Sequence, residues 1–394
     1  MDFKELQTLD DLKKVYPEHI LERFPIAGKG EYYKDVSDKD WNNWIWQQKN
    51  RISTLEELEK IINVSEAERE AFDKCKDLFH VGITPYYAML MDKDNDKCPV
   101  RQQSVPQMGE LNVLETDMED PLGEEKDMPV PGITHRYPDR VLFYTTHNCP
   151  LYCRHCTRKR KVADPSSQAA NDQIESGLEY IRNNKVVRDV IISGGDPLSL
   201  GNNKLEYIIT ELRKIPHVEV VRLGTRNLVT LPQRLDDGLI EILQRNLVHI
   251  NTHFNHTAEM SREALFTATK LSMAGVTIGN QTVLLKGINN DAKIMKDLMH
   301  KLLMMRIRPY YIFQCDLSQG ISHFRTSIEE GIEIIEQLRG WTSGLAIPYY
   351  VVDAPGGGGK IPMNPNYFVK REGNKVTLRN YKQSQYEYFE PEKK

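Results

Sequence analysis

Three cysteines within eight residues constrain this chain more than any other feature. Cys149, Cys153 and Cys156 have the spacing C-x₃-C-x₂-C and follow a short apolar run at 141–144. Three thiolates can ligate three irons of a [4Fe–4S] cube, whereas electron-transfer ferredoxins usually supply a fourth cysteine. The spacing therefore predicts a cluster whose fourth iron is free to bind another molecule.

The cysteines have alternative interpretations, as a zinc site, as three structural thiols or as the cluster of an electron carrier. Zinc usually takes four ligands in pairs that a loop separates, and three crowded cysteines fit that arrangement poorly. An electron carrier is expected to have a fourth cysteine ligand and a small fold. The remaining cysteines, Cys75, Cys98 and Cys315, are scattered and do not suggest a disulfide framework.

Composition narrows the class of protein. The chain has 394 residues and a net charge of −4, enough for one large domain or two ordinary ones and without a field that favours nucleic acid. The N-terminus lacks the apolar core of a signal peptide, and no apolar stretch approaches the roughly 20 residues of a membrane span. We expect a cytoplasmic enzyme in a reducing environment.

The sequence pattern divides the chain into four parts. Helical spacing at the start includes a cap at Ser37 before a stretch with Trp41, Trp44 and Trp46, which we interpret as packing residues. A connector follows, acidic from about residue 109 to 127, and we expect its charges to be solvated. The predicted parts are a helical region at 1–110, the connector at 111–140, a barrel at 141–340 and a C-terminal segment at 341–394.

A regular alternation of strands and helices fills the third part. The β-rich runs are separated by five helical patterns, at 172–183, 204–214, 234–244, 258–274 and 292–305, and a sixth helical stretch follows at 327–338. This order predicts a parallel sheet and an α/β fold, an incomplete (β/α)₆ barrel. The predicted strands are 141–146, 189–193, 218–224, 248–254, 276–285 and 309–315.

Polar residues collect where these strands end. Side chains alternate along a strand, so residues two apart share a face. Such barrels place their chemistry at the carboxyl ends of the strands, so we predict a site in the barrel mouth. The residues concerned are Arg222, Gly224 and Arg226 on one strand, Asn251, His253 and Asn255 on the next, and Gln314 and Asp316 on the last.

Several motifs follow one another over about residues 33–381. They are Cys153-Arg-His-Cys156-Thr-Arg158, Ser193-Gly-Gly-Asp196, Asn251-Thr-His253-Phe-Asn-His256, Arg308-Pro-Tyr-Tyr-Ile-Phe-Gln-Cys-Asp316 and Val352-Asp353-Ala-Pro-Gly-Gly-Gly-Gly-Lys360. Together they closely resemble the lysine 2,3-aminomutase family, whose members are radical S-adenosylmethionine (SAM) enzymes that also use pyridoxal 5′-phosphate (PLP). The resemblance implies that a 5′-deoxyadenosyl radical abstracts hydrogen and that a 1,2-amino migration interconverts L-α-lysine and β-lysine.

The resemblance also assigns the cofactor residues. It makes Lys360 the lysine that bonds to PLP, and the preceding glycines give its backbone freedom. A P-loop is the rival interpretation, but Ala354 and Ile361 stand where that motif needs Gly and Ser or Thr. The predicted PLP contacts are Arg136, Tyr137 and Arg140, which suit a phosphate. The predicted SAM contacts are His155, Gly194, Gly195, Asp196, His253 and Gln281.

For the substrate, the resemblance places Arg158 on the α-carboxylate and the pair Asp316 and Asp353 on the side-chain ammonium. Two carboxylates in a closed site repel each other unless a cation joins them, which favours lysine over glutamate and leaves arginine open. Phe313 stands where lysine-specific relatives are expected to have tyrosine. A radical SAM enzyme that modifies RNA without PLP would be expected to carry a basic module, and none is visible.

The resemblance further implies a low-potential electron donor such as ferredoxin or flavodoxin, and a dimer or tetramer. Relatives often bind structural zinc through a C-terminal cysteine-rich tail and a cysteine in the helix after the fifth strand. This sequence has neither, since that helix begins around Asn290 and Asp291. We therefore expect no structural zinc.

Overall fold

The structure is a computed structural model that describes residues 2–75, 78–162 and 171–391. Its centre is a nine-stranded sheet in which the strands lie in chain order. The strands β2 to β8 run parallel to one another, whereas β1 pairs antiparallel with β2 at one edge and β9 pairs antiparallel with β8 at the other. The strands are β1 (Ile133–Tyr137), β2 (Arg140–Tyr144), β3 (Asp189–Ser193), β4 (Val220–Gly224), β5 (His249–Thr252), β6 (Ile278–Leu284), β7 (Arg308–Gln314), β8 (Tyr349–Ala354) and β9 (Gly359–Pro362).

Helices follow the parallel strands, as the alternating pattern predicts. All six predicted strands and all six predicted helices are present, so the incomplete α/β barrel is confirmed. The sheet is wider than predicted, because β8 continues the parallel order and β1 and β9 close its edges. The barrel helices are α8 (Asn171–Asn183), α9 (Asn202–Arg213), α10 (Asn227–Thr230), α11 (Asp237–Arg245), α12 (Arg262–Met273), α13 (Ala292–Met304) and α14 (Ile328–Leu338).

Two predicted helix starts are wrong, and capping explains both. The helix predicted from 234 begins at Asp237, because the Asp236 carboxylate accepts the Leu239 amide at 2.8 Å. The helix predicted from 258 begins at Arg262, where the Ser261 hydroxyl accepts the Ala264 amide at 3.1 Å. Capping side chains bond donors that the first helical turn leaves free, so they fix where a helix begins.

The N-terminal region consists of short helices that pack on the barrel. The predicted cap is confirmed, since Ser37 accepts the Asp40 amide, and Trp41 is buried as a packing residue. Hydrogen bonds tie the region to the barrel, among them Thr84 Oγ1 to the Thr230 carbonyl at 2.6 Å. These helices are α1 (Glu18–Leu21), α2 (Asp38–Trp41), α3 (Trp44–Lys49), α4 (Leu55–Glu59), α5 (Glu66–Cys75), α6 (Pro85–Ala88) and α7 (Pro99–Gln102).

One hydrophobic core joins the N-terminal region and the barrel. After the barrel, a separate three-stranded antiparallel sheet contains β10 (Phe368–Glu372), β11 (Lys375–Arg379) and β12 (Gln385–Phe389). The predicted boundaries of the four parts stay a prediction. No helix in the described part of the chain has both the length and the apolar character that crossing a membrane requires.

The packing of α14 on β8 yields a stability prediction. A Cβ at Gly331 would lie 2.2 Å from the Tyr350 ring, whose hydroxyl donates to Gln314 Oε1 at 2.7 Å. We expect Gly331→Ala to destabilise the fold by about 1–3 kcal/mol, because a packed core does not absorb an added methyl group. A lower thermal unfolding midpoint would be measured by circular dichroism.

Gly344→Ala is the matched control, because nothing lies within 4 Å of a Cβ at that position. Equal midpoints for the two variants would contradict the packing described for α14.

Candidate active site

A cavity of about 680 Å³ runs inside the barrel. Pockets of this size suit small molecules and cofactors. Its wall includes the cysteine loop after β2 and the loop after β3, at the carboxyl ends of the strands. It also includes Tyr137, Arg140 and Asp189, which lie at the edge where the parallel strands begin. The cavity therefore extends further than the predicted mouth. Every residue predicted to ligate the cluster or to contact PLP, SAM or the substrate lines this single cavity.

Two of the polar strand-end residues lie elsewhere. Gln314 turns toward α14, where its amide donates to the Thr326 carbonyl at 2.7 Å. Tyr311 and Phe313 face the cavity, so alternation along β7 puts Gln314 on the opposite face. Asn255 is buried in the frame of the barrel, and its Oδ1 accepts the Val283 amide at 2.9 Å. The prediction that these two side chains face the site is wrong. The other strand-end residues line the cavity.

The three cysteines are half-buried on one wall of the cavity. Burial raises the pKa of Cys149 well above its ordinary value and that of Cys156 to about 11, and the neighbouring sulfurs add to both shifts. Arg226 donates from Nη1 to the third sulfur, Cys153 Sγ, at 2.8 Å. Thiols in such surroundings become thiolates when a metal centre supplies positive charge.

The glycines after β3 permit a close approach of two backbones. A Cβ at Gly194 would lie 2.1 Å from the Thr146 carbonyl oxygen, and one at Gly195 would lie 2.4 Å from the Asn148 carbonyl oxygen. Glycine is therefore required where this loop packs against the loop that leads to the cysteines.

Asp196 is more committed to the protein than its predicted contact with SAM suggests. Its carboxylate accepts the Leu198 amide at 3.0 Å, the Arg226 amide at 2.7 Å and the Thr225 hydroxyl at 2.7 Å. Burial raises its pKa, and these donors oppose the shift. The Asn227 side chain is a further donor, so the protein itself uses the roughly four acceptor positions of this carboxylate.

Three buried polar atoms on the cavity wall have no hydrogen-bond partner among the described residues. They are Oγ1 of Thr134, Nδ1 of His155 and Nδ2 of Asn251. Burial lowers the pKa of His155 well below its ordinary value and that of His253 to about 4, so both rings are neutral. Buried polar groups are normally satisfied, so these atoms suit a polar ligand. Asn251 was not among the predicted contacts, although the strand alternation placed it on this face.

Alternation on β6 explains the position of Gln281. Ile278, Asn280 and Thr282 are buried on one face of the strand, whereas Gln281 and Val283 line the cavity on the other. The prediction that Gln281 reaches the cavity is confirmed, while its role there stays a prediction.

Lys360 lies on β9, opposite Asp353 on β8, as the antiparallel register requires. Its Nζ donates to the two carboxylate oxygens of Asp353 at 3.0 and 3.2 Å. The same nitrogen lies 5.0 Å from the centre of the Phe313 ring. The Lys360 amide also donates to the Tyr137 hydroxyl at 3.0 Å, so the hairpin is fixed against β1.

Asp316 shares this part of the cavity. Burial raises its pKa to about 7, the charge of Asp353 adds to the shift, and Lys360 opposes it. The amine of Lys360 is therefore the cation that offsets the two carboxylates in the described structure. Asp316 and Asp353 both line the cavity, while their role as a pair stays a prediction.

Arg158 has a partner that the sequence did not reveal. Its Nε donates to the Glu124 carboxylate oxygens at 3.0 and 3.1 Å, and Nη2 donates to the same group. Burial would raise the pKa of Glu124, but the guanidinium outweighs it and lowers the pKa. The expectation that the acidic connector is solvated is wrong for Glu124 and for Glu110, which pairs with buried Arg154.

The predicted PLP segment brings guanidinium groups to the other end of the cavity. The Arg140 guanidinium lies 3.8 Å from the centre of the Tyr137 ring. Arg136 donates from Nε to Asp127 at 2.8 Å and from Nη2 to the Leu122 carbonyl. Arg222, which was not predicted for this group, pairs with Asp189 at 2.8 Å on the same wall.

Comparison with known proteins gives matching results over most of the chain. Residues 143–298 match the sequence model of the radical SAM superfamily, and residues 335–394 match that of lysine-2,3-aminomutase. L-lysine 2,3-aminomutase of Clostridium subterminale is 51% identical over 93% of this chain and 88% of its own. L-lysine 2,3-aminomutase of Bacillus subtilis strain 168 is also 51% identical, over 92% of this chain and 77% of its own. This chain belongs to the lysine 2,3-aminomutase family.

A relative with another substrate in its name is also similar. Glutamate 2,3-aminomutase of Clostridioides difficile strain 630 is 45% identical over 88% of this chain and 82% of its own. Membership of the aminomutase family therefore settles the class of reaction, an isomerisation with radical SAM chemistry. The residues that line the cavity must decide which substrate binds.

The family cofactors are a [4Fe–4S] cluster, SAM and PLP, and the cavity fits all three. No three His, Cys, Asp or Glu side chains in the described ranges are grouped to hold a single metal ion. A cube places each thiolate on a different iron, so its cysteines need not converge on one point. The unpartnered atoms of His155 and Asn251 suit SAM, and the amine of Lys360 with the nearby guanidiniums suits PLP.

The position at which relatives are expected to have a zinc-binding cysteine has another use here. Asp291 caps α13, because its carboxylate accepts the Lys293 amide at 2.8 Å and the Ile294 amide at 3.0 Å. The absence of structural zinc stays a prediction.

The charges around Lys360 yield a prediction for the protein without added cofactors. The raised pKa of Asp316 means that the folded state holds its proton more tightly than the unfolded state. Its contribution to stability is therefore largest at low pH and is lost as the pH rises through about 7. Lys360→Met removes the offsetting cation, so we expect an extra loss on the order of 1 kcal/mol at pH 8.

Thermal unfolding at pH 6 and pH 8 measures this effect. The double variant Lys360→Met/Asp353→Asn, which also lacks the second carboxylate, should recover the pH dependence of the wild type. If Lys360→Met alone already has the pH dependence of the wild type, Lys360 does not offset the two carboxylates.

Proposed function

We propose that this protein is an L-lysine 2,3-aminomutase that interconverts L-α-lysine and β-lysine. One observation carries the choice of substrate within the family. Asp316 and Asp353 lie in the same cavity as Lys360 and the three cysteines. A buried pair of carboxylates requires a cation, and the ε-ammonium of lysine provides one.

The chain's residues divide the cavity into regions with separate tasks. We assign Cys149, Cys153 and Cys156 to the cluster. Lys360 serves PLP as its lysine, and Arg136, Tyr137 and Arg140 hold the other end of that cofactor. When bound, the cluster and SAM supply the radical that removes hydrogen, and PLP supplies the carbonyl group for the amine. The assigned SAM contacts are His155, Gly194, Gly195, Asp196, His253 and Gln281.

The substrate is held at both ends. Arg158 binds its α-carboxylate, because Glu124 occupies Nε and Nη2 and leaves Nη1 for a second anion. Asp316 and Asp353 bind the ε-ammonium at the other end. Rigid clamping of this kind reduces the entropy that is lost on reaching the transition state, and it keeps the reacting carbons close together.

The pairing of Lys360 with Asp353 implies an order of loading. In the described structure the amine of Lys360 pairs with Asp353, and its charge also acts on Asp316. PLP held at Lys360 would engage that amine and leave the two carboxylates without it. The substrate ammonium would then supply the cation, so we expect PLP to bind first and the substrate second.

The surroundings of the enzyme follow from its cluster. We propose that it acts in the cytoplasm as a homo-oligomer, a dimer or a tetramer. A low-potential donor such as ferredoxin or flavodoxin reduces the cluster. The supporting argument is that a three-cysteine cluster with an open iron is best preserved in a reducing compartment.

An anaerobic assay of the reconstituted protein tests the proposed function. The protein is supplied with iron, sulfide, SAM, PLP and dithionite, and lysine, arginine and glutamate are offered separately. We expect β-lysine from lysine alone, identified by NMR. A β-amino acid from arginine or glutamate would keep the reaction class and overturn the assignment of the two aspartates to lysine.

The pH dependence of substrate binding tests the carboxylate pair. The pKa of Asp316 is about 7, and only its ionised form attracts the ε-ammonium. We therefore expect the KM for lysine to fall by about tenfold between pH 6 and pH 8, since a charged hydrogen bond is worth roughly 1.5–3 kcal/mol. Steady-state kinetics across this range measures it.

Asp316→Asn is the matched variant. It cannot titrate, so its KM should be high and nearly constant over the same pH range. A wild-type KM that does not change with pH, or an Asp316→Asn variant that keeps the dependence, would contradict the role of Asp316.

A further inference from the structure

Arg226 is a buried cation in contact with a cysteine of the predicted cluster. It lies just before α10, and its side chain is 10% exposed. Nη1 donates to Cys153 Sγ at 2.8 Å, the only contact of that nitrogen among the hydrogen bonds of the described residues. The proposed roles of the site residues do not use this arginine.

A set of acceptors fixes the other nitrogens of the guanidinium. Nε donates to the His253 carbonyl at 3.2 Å, and Nη2 donates to Gln103 Oε1 and Glu259 Oε1, each at 2.6 Å. The Arg226 amide is also held, by Asp196 at 2.7 Å. Three parts of the chain therefore orient the side chain, and the remaining N–H groups point at the sulfur.

Glu259 is fixed as firmly as the arginine. It is fully buried, and its Oε1 also accepts the Tyr87 hydroxyl at 2.7 Å. Its Oε2 accepts the Asn255 amide at 2.7 Å and the His256 amide at 3.0 Å. These contacts leave it no freedom to move toward the sulfur, so it acts on the cysteine only through the guanidinium and through its charge.

The charge of a cluster changes by one unit on reduction. The reduced form is the more negative, so a nearby cation and an N–H donor to a thiolate sulfur stabilise it over the oxidised form. Hydrogen bonds to the sulfurs, net charge and burial are the properties through which a protein sets the reduction potential. Burial strengthens the effect, because charges interact more strongly away from water.

We propose that Arg226 is a positioning and tuning residue that raises the reduction potential of the cluster through Cys153, and that Glu259 limits this effect. The step concerned transfers one electron from the external donor to the cluster. The donor is oxidised by one electron, the cluster is reduced by one, and no bond forms or breaks. The inference rests on the proposed function only in placing a cluster at the three cysteines.

Redox titration of the reconstituted protein tests the proposal. The reduced cluster is followed by EPR, with dithionite and mediators, in the absence of SAM and substrate. We expect Arg226→Gln to lower the midpoint potential by at least ~59 mV. For one electron this corresponds to a tenfold fall in the ratio of reduced to oxidised cluster at a given potential. Arg226→Lys should have an intermediate potential, since it keeps the charge and loses the planar fork.

Glu259→Gln provides a shift of opposite sign. Without the carboxylate the guanidinium is uncompensated, so the potential should rise. General damage to the fold would not move two variants of one ion pair in opposite directions. If Arg226→Gln does not fold, Arg226→Lys and Glu259→Gln still give the two signs.

Arg101→Gln is the matched control. Arg101 is a fully buried arginine that donates to Glu68 at 3.1 Å, and it does not line the cavity. It should lower stability without moving the potential. If the reconstituted wild-type protein binds no iron or sulfide and gives no EPR signal, the cluster itself is refuted. If the wild-type cluster forms and all the Arg226 and Glu259 variants have the same potential as the wild type, the tuning role alone is overturned.

Discussion

The cavity depends on charged groups that are removed from water and therefore need partners. Lys360 pairs with Asp353, Arg158 with Glu124 and Arg226 with Glu259, and each pair has a member on the cavity wall. An unpaired buried charge costs several kcal/mol, whereas a pair with further hydrogen bonds is tolerated. A charged ligand can therefore bind only if its charged groups replace one member of such a pair or join the pair. The site consequently selects ligands by their charge more strongly than by their shape.

The strands and the wall of the cavity were predictable, because both leave local signals. Apolar β-rich runs marked the six strands, and the motifs placed residues as distant as Tyr137 and Lys360 at one site. The edge strands β1 and β9 were missed, because they have no run of apolar residues and owe their order to the neighbouring strand. Two helix starts shifted because a capping side chain, Asp236 or Ser261, decided the first turn.

Buried charges were the main failure of the sequence prediction. Glu110 and Glu124 lie in an acidic stretch, and composition alone favours solvent for such residues. Each is buried because a distant arginine, Arg154 or Arg158, meets it in the folded chain. That information exists only in tertiary contacts, as does the turn of Gln314 away from the cavity. The N-terminal region shows the same dependence, since Gln103 completes the contacts of Arg226 from outside the barrel.

The hairpin of β8 and β9 joins two tasks in one piece of backbone. Asp353 and Lys360 are cross-strand partners, so both side chains face the cavity only in this register. A slip of one residue in a strand turns every side chain to the opposite face. The number of residues in the glycine turn therefore fixes which residues of β8 and β9 pair with each other. A chain that gained or lost one glycine there would turn Lys360 away from Asp353 and forfeit its cofactor amine. The turn is restricted in residue type as well, since Gly356, Gly357 and Gly359 have positive φ angles that side chains rarely adopt.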